Sequence, residues 1–216
     1  METPIIKLYL RVHLFGEPDG IIRPHRHKAY QELGPSLYYR SYRSRSFVQG
    51  FNLCWAATLA HLVGDTDAKF IKAINDTGGT SRNIGDGGLG GTEFRITRSG
   101  NTRGIVVGTG TGAVTETDQA LGTIITDGTA AGNLVHNAML FDAPSSSGST
   151  ATFVFRSTFS NRSGGTVTVT EVGVYGDFNV DASAKQFLFI RDKLGASVGV
   201  VDKSTLAIDY VLQASL

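Results

Sequence analysis

Residues that could do chemistry are sparse in this chain, and the tightest histidine pair is His25 and His27. Imidazoles two positions apart on a strand lie on one face and could share a metal ion. Their neighbours Arg23, Arg26 and Lys28 would repel a cation, and no cysteine or acid stands beside them. The sequence therefore predicts a solvated or interface-facing basic stretch here, and no metal site.

Paired carboxylates are the second candidate, because a glycosidase needs two acids roughly 5–9 Å apart. Glu116 with Asp118 and Asp177 with Asp181 are close in sequence, but turns hold such acids in most soluble proteins. A polysaccharide-cleaving enzyme is therefore only the third-ranked hypothesis. Cys54 sits among apolar residues, so we expect no catalytic residue and no cofactor.

The glycine-rich run from Gly108 to Gly112 could suggest a phosphate-binding loop. It lacks the Lys-Ser/Thr pair with which a P-loop binds phosphate and Mg²⁺. The residues that follow it, 113–121, are rich in threonine and lead towards another strand-like segment. We therefore predict a loop or hairpin whose backbone needs glycine, without a phosphate-binding role.

The overall charge is small but unevenly distributed. A net charge of +1 over 216 residues argues against a general nucleic-acid or membrane-surface binder. Residues 1–45 carry +4 and the remainder −3, a common arrangement for docking to a protein partner. One cysteine rules out an intramolecular disulfide, and neither a signal peptide nor a membrane-spanning run is evident. The expectation is a soluble protein made in a cytoplasm.

Residues 1–43 are predicted to form an extended basic arm. Four of the five prolines of the chain lie in this segment, which has little periodicity after a strand-like run at residues 5–12. Tyrosines alternate with arginines towards its end, and both residue types are enriched in protein interfaces. The interface residues predicted from this pattern are Tyr38, Tyr39, Arg40, Tyr42, Arg43 and Arg45.

An amphipathic helix is predicted over residues 44–64, because apolar residues recur there at spacings of three and four. Phe47, Phe51 and Trp55 lie on this apolar stripe and complete the predicted interface. The glycine-rich residues 65–91 are predicted to be a flexible connector. Helices with a bulky aromatic stripe can bundle on a three-fold axis, so a homo-oligomer is expected and a trimer is favoured.

Residues 92–216 are predicted to be mainly β and to form a jelly-roll-like antiparallel β-sandwich. Phe153, Phe155 and Phe159 alternate with polar residues, which indicates a strand with one buried face. A change of apolar phase across Glu171 predicts a β-bulge. Short strands between turn signals fit a sandwich better than a parallel sheet. The predicted strands are Thr92–Arg98, Gly104–Gly108, Gly122–Thr126, Asn133–Asp142, Thr150–Asn161, Thr166–Tyr175, Lys185–Arg191 and Thr205–Ala214.

Three runs in this region resemble strands near the C-terminus of structural proteins of tailed bacteriophages. The runs Thr170–Tyr175, Phe187–Asp192 and Leu206–Leu212 are similar to the patterns E-(I/V)-G-(L/V)-Y, L-x-x-R-D and L-x-(V/I)-x-Y-x-(I/L). The resemblance covers residues 76–216. Asp209 departs from the Thr-rich outer face of the closing strand and predicts a more acidic face there.

The resemblance implies a non-enzymatic virion component that displays a β-sandwich on a phage head, neck or tail. Its arm and helix would anchor it to other virion proteins or to sister subunits, with assembly in the host cytoplasm. Neither a membrane nor a specific nucleic acid is expected as a partner. The alternative is an adhesin that binds host-surface glycans, but loops such as Ser145–Gly148 and Ser163–Gly165 lack the exposed aromatics expected of it.

Overall fold

The computed structural model describes residues 5–16, 38–44, 72–84, 103–180 and 183–215. Across these ranges the protein is mainly β with antiparallel sheets, as predicted. In the same ranges there is no helix with the length and apolar character to cross a bilayer. The strands are β1 (Ile5–Gly16), β2 (Tyr38–Ser44), β3 (Lys72–Asn75), β4 (Ser81–Ile84), β5 (Gly104–Gly108), β6 (Val135–His136), β7 (Leu140–Phe141), β8 (Ser145–Ser147), β9 (Thr150–Ser160), β10 (Val167–Val180), β11 (Ser183–Val200) and β12 (Ser204–Ser215).

The chain divides into two compact units. The described part of the first unit comprises residues 5–16, 38–44, 125–169 and 197–215. The described part of the second unit comprises residues 72–84, 103–124, 170–180 and 183–196.

The first unit contains a seven-stranded sheet with β12 at its centre. The strand order is β2-β1-β12-β9-β6, and β7 and β8 also pair with β9. β1 pairs with β12 along its whole length, from Ile5 opposite Ser215 to Gly16 opposite Ser204. Residues 5–16, which the sequence analysis assigns to the arm, are therefore an integral strand of the sheet.

Both faces of β12 are buried from Ser204 to Val211, and β1 and β9 pair with its two edges. Leu206, Ile208 and Tyr210 are completely buried on one face, and the ring of Tyr210 stacks on Phe155 with centroids 5.4 Å apart. Burying a large apolar side chain contributes about 1.5–3 kcal/mol. The alternation predicted for β9 and β12 thus corresponds to a packed core.

The predicted acidic outer face of the last strand is wrong, because Asp209 is only 4% exposed. The register places Asp209 opposite Arg11 on β1 and Arg156 on β9. Its carboxylate lies 3.9 Å from Arg156 Nε and 4.0 Å from His13 Nε2. The acid is therefore buried between polar side chains of the neighbouring strands rather than presented to solvent.

The second unit contains the three-stranded sheet β11-β10-β5 and the hairpin β3–β4. β10 and β5 keep a continuous register from Glu171 opposite Gly108 to Tyr175 opposite Gly104. The bulge predicted across Glu171 falls at the start of this ladder, which is regular from Glu171 onward. The apolar phase changes there because residues 171–177 are buried on both faces.

Several predicted elements differ from the observed ones or lie outside the described residues. Residues 122–126 form no strand and contribute a single bridge, between Ile124 and Gly108. The predicted strand over residues 133–142 is replaced by the short strands β6 and β7. Part of the predicted connector is the β3–β4 hairpin. The predicted strand at Thr92–Arg98 and the predicted helix beyond Ser44 lie outside the described residues.

Candidate functional site

Residues 109–124, which we call the glycine loop, pack on one face of β10. Glu171, Gly173 and Tyr175 alternate along β10, so they share one face, and each meets this loop. The Tyr175 hydroxyl accepts a hydrogen bond from the backbone N–H of Leu121 at 2.6 Å. At Gly173 a Cβ would lie 2.9 Å from Cδ2 of Leu121, so glycine leaves room for that side chain. The glutamate, glycine and tyrosine of the E-x-G-x-Y pattern therefore all contact one loop.

The Glu171 carboxylate is completely buried and accepts four hydrogen bonds. Its Oε1 accepts from the backbone N–H groups of Gly110 at 2.9 Å and Thr123 at 3.1 Å. Its Oε2 accepts from Nε of Arg191 at 3.0 Å and from Nη2 at 2.8 Å. Because an ionised carboxylate offers about four lone-pair sites, Glu171 is saturated by the protein itself.

Arg191 continues the network from β11 to the far side of the glycine loop. Its Nη1 donates to Asp118 Oδ2 at 2.8 Å and to the carbonyl oxygen of Ala113 at 3.3 Å. Burial alone would lower the pKa of Arg191, but hydrogen bonds to Asp118 and Glu171 hold that pKa above its ordinary value. The guanidinium is therefore a permanent charge that joins two acids and a backbone carbonyl.

Asp118 is held by the loop as well as by Arg191. It accepts hydrogen bonds from the backbone N–H of Thr115 at 2.9 Å and from the Thr115 hydroxyl at 2.8 Å. Burial alone would raise the pKa of Asp118, but these bonds and the Arg191 guanidinium outweigh it and the pKa is lowered. Asp118 is thus ionised throughout the neutral range.

The glycines of the loop are required by its close approach to β10. A Cβ at Gly110 would overlap the carboxylate of Glu171. At Gly108 a Cβ would lie 2.5 Å from the carbonyl oxygen of Thr123 and 2.7 Å from Glu171 Oε1. The glycine-rich run is therefore a loop packed on a buried acid. In this loop the backbone N–H of Gly110 donates a hydrogen bond to the carboxylate of Glu171.

No protein-family model, curated protein or solved structure matches the chain. The resemblance to tailed-phage structural proteins consequently rests on the sequence patterns alone. Two of those patterns contribute to the network just described, through Glu171 and Arg191.

Of the carboxylates weighed as catalytic pairs, three lie in the described part of the chain. Asp118 is engaged by Arg191 and Thr115, whereas Glu116 is exposed. Asp177 pairs with Arg103 at 3.3 Å, and residue 181 lies outside the described residues. Across the described ranges no three His, Cys, Asp or Glu residues stand close enough together to hold a metal ion.

The predicted interface segment forms β2, at one end of the seven-stranded sheet. β2 runs antiparallel to β1, from Tyr38 opposite Leu14 to Ser44 opposite Leu8. In the described part of the chain, no strand pairs with its other side. Five predicted interface residues lie in this strand: Tyr38, Tyr39, Arg40, Tyr42 and Arg43. Four others lie outside the described residues: Arg45, Phe47, Phe51 and Trp55.

A polar groove on the second unit was not predicted from the sequence. Its charged lining residues include Asp76, Arg82, Arg103 and Lys185. They are far apart in sequence and belong to no motif. The one local signal is the turn pattern that follows Asp76, where the next residues are Thr-Gly-Gly.

Proposed function

We propose that this protein is a non-enzymatic structural component of a tailed-phage particle. Its N-terminal segment anchors it to other virion proteins or to sister subunits, and its C-terminal strands form a jelly-roll-like sandwich that is displayed on the particle. Assembly takes place in the host cytoplasm.

The observation that carries this proposal is the position of β2 at the end of the sheet. An edge strand presents unpaired backbone N–H and C=O groups that can pair with a strand of another chain. β2 has the sequence Tyr-Tyr-Arg-Ser-Tyr-Arg-Ser, which is rich in the residue types that dominate interfaces. Backbone pairing along β2, with tyrosine and arginine contacts, would anchor the subunit.

The integration of β1 into the sheet supports the same function. β1 pairs with both β2 and β12, so a load applied to β2 passes directly into the central strand of the first unit. A symmetric particle offers many identical docking sites, so modest contacts in each copy suffice.

The network around Glu171 supports a scaffolding function rather than turnover. All four hydrogen bonds to its carboxylate come from the protein, and they fix a loop against a sheet. Residues of the phage-like patterns thus keep the fold rigid, as a domain displayed on a particle requires.

Two measurements on the purified full-length chain test the anchoring surface: its mass in solution and its backbone hydrogen exchange. We expect a mass above the 23.0 kDa of one chain, with a trimer favoured. Backbone amides of residues 38–44 should exchange more slowly in the oligomer than after dilution to monomer. A stable monomer at high concentration that binds no virion protein through these residues contradicts the proposal.

A further inference from the structure

An open groove of about 500 Å³ lies on the second unit, between the β3–β4 turn and the ends of β5, β10 and β11. Its charged lining consists of three cations and two carboxylates: Arg82, Arg103, Lys185, Asp76 and Asp177. A volume of this size is typical of small-molecule sites, which span about 300–1,000 Å³.

Asp76 is fixed by the hairpin turn and in turn orients Arg82. Its Oδ1 accepts from the backbone N–H groups of Gly78 at 2.9 Å and Thr80 at 3.0 Å, and its Oδ2 accepts from Arg82 Nε at 2.9 Å. Burial alone would raise the pKa of Asp76, but the bonds from Arg82, Thr80 and Gly78 lower it. The pair is therefore charged at neutral pH and rigidly placed.

Asp177 plays the same part for Arg103, whose Nη1 lies 3.3 Å from its Oδ2. In both pairs the acid is the more buried partner. The Arg82 and Arg103 side chains are 24% and 25% exposed, whereas Asp76 and Asp177 are 10% and 9% exposed. Solvent in the groove therefore meets the guanidinium groups, with the carboxylates behind them.

The cations retain donors that no described residue uses. Arg82 binds Asp76 through Nε, and neither of its Nη atoms has a partner among the described residues. Lys185 has no hydrogen bond or ion pair with any described residue. A guanidinium held by an acid at one edge presents its remaining N–H groups in a fixed fork that matches a carboxylate.

The charge of the described lining residues selects the charge of the anion. Among these residues, three cations against two carboxylates leave one net positive charge, which one carboxylate neutralises. A phosphate monoester, with about −1.5 to −2 charges at neutral pH, would overcompensate it. Hydroxyl and amide side chains from Thr77, Thr80 and Gln186 complete the lining and suit a ligand rich in hydroxyl groups.

We propose that this groove binds a hexuronic acid unit of an acidic saccharide. The sugar carboxylate lies against Arg82, Arg103 and Lys185, and its hydroxyl groups bind the polar side chains beside them. Recognition through charge and hydroxyl groups needs no aromatic platform. This binding goes beyond a structural function in a particle and does not depend on it.

Calorimetric titration of the full-length chain with trigalacturonate at low ionic strength tests the proposal. We expect saturable binding in the micromolar-to-millimolar range. The methyl ester of the same trisaccharide keeps the hydroxyl groups and loses the charge, and should bind about tenfold more weakly or not at all. Hexaglutamate and inorganic phosphate serve as anions without sugar hydroxyl groups and should bind more weakly than the trisaccharide.

Two variants test whether the saccharide binds in the groove. Lys185→Gln removes a charge that has no described partner, so folding should be preserved and affinity should fall about fivefold. Arg82→Lys keeps the charge but loses the fork, and should weaken binding similarly. Lys203→Asn is the matched control: it removes one exposed charge in a turn where φ is 63°, a conformation that asparagine tolerates, and should bind normally.

Three results would overturn the proposal. The first is the absence of binding by trigalacturonate and by an equivalent glucuronate oligomer at millimolar concentrations. The second is equal affinity for the methyl ester, hexaglutamate or phosphate. The third is binding that Lys185→Gln and Lys203→Asn reduce to the same extent.

Discussion

Glu171 on β10 and Arg191 on β11 form a buried ion pair in which a single carboxylate oxygen, Oε2, accepts from both Nε and Nη2 of the guanidinium. The other oxygen is thereby left to bind two backbone amides of the glycine loop. One acid therefore joins two strands and a loop that starts about 60 residues earlier. The pair explains why an acid and a base can both be buried in neighbouring strands.

Replacing Glu171 by Gln should lower the free energy of unfolding by about 3–5 kcal/mol, because it leaves the buried Arg191 charge with Asp118 as its remaining acid. Urea denaturation of purified protein measures the change. Glu116→Gln removes an exposed acid of the same loop and should change stability by less than about 0.5 kcal/mol. Equal stability of the two variants would contradict a stabilising ion pair.

Replacing Gly110 by Ala should destabilise the protein by about 1–3 kcal/mol, because the new Cβ overlaps the Glu171 carboxylate and the loop must move. Gly165→Ala is the control, since a Cβ there meets no atom within 4 Å. Thermal unfolding of both variants compares them. A Gly110→Ala protein as stable as the control would show that the loop does not pack closely on β10.

Tyr175 predicts a loss of stability at alkaline pH. Burial raises the pKa of its phenol to about 12, against 10.0 in the unfolded chain. The stabilisation is complete below pH 10 and disappears as pH rises towards 12, because the unfolded chain ionises first; the total is about 3 kcal/mol.

The test is the free energy of unfolding against pH for the natural chain and for Tyr175→Phe, whose ring cannot ionise. The difference between the two curves should be flat below pH 10 and then decline. A constant difference across the whole range would mean that the phenol of Tyr175 is not buried.

His13 predicts a loss of stability in weak acid. Burial, together with Arg11 and Arg156, lowers its pKa below 6.5, and Asp209 only partly opposes this. The unfolded chain therefore takes up the proton first as pH falls through 6.5, and stability is lost until pH passes below the pKa of the folded state. His13→Gln should lose less stability between pH 8 and pH 5; an identical pH dependence in both proteins would contradict this assignment.

The sequence predicts the mainly β character and the strands β9 and β12, because large apolar residues recur in both strands with a period of two. It could not predict Glu171 as a buried residue, since the donors that satisfy it come from the distant glycine loop and from β11. The one available signal was the acid at the start of E-x-G-x-Y, where Gly173 and Tyr175 share its face.

Asp209 is a second residue whose burial could not be predicted from the sequence. Its alternation with Ile208 and Tyr210 predicts an exposed position, but the central place of β12 in the sheet depends on pairing with β1, which is almost 200 residues away in sequence. The residues that line the polar groove of the second unit could not be predicted for the same reason. Their charges converge only when the β3–β4 hairpin meets the ends of β5, β10 and β11.

Particle incorporation is the most direct test of the anchoring function of β2. Deleting the N-terminal segment would not serve, because it removes β1 from the sheet. The variant should instead carry Tyr39→Ser and Arg43→Ser, because these positions pair with the half-buried His13 and Tyr9 of β1, whereas Tyr42 pairs with the buried Leu10. A Val201→Ser variant, at an exposed turn residue of the first unit, is the control. Quantitative mass spectrometry of purified phage particles should find the natural chain and the control in fixed proportion to the other virion proteins, and the double variant strongly depleted. Absence of the natural chain from the particles, or equal incorporation of the double variant, would contradict a virion protein anchored through β2.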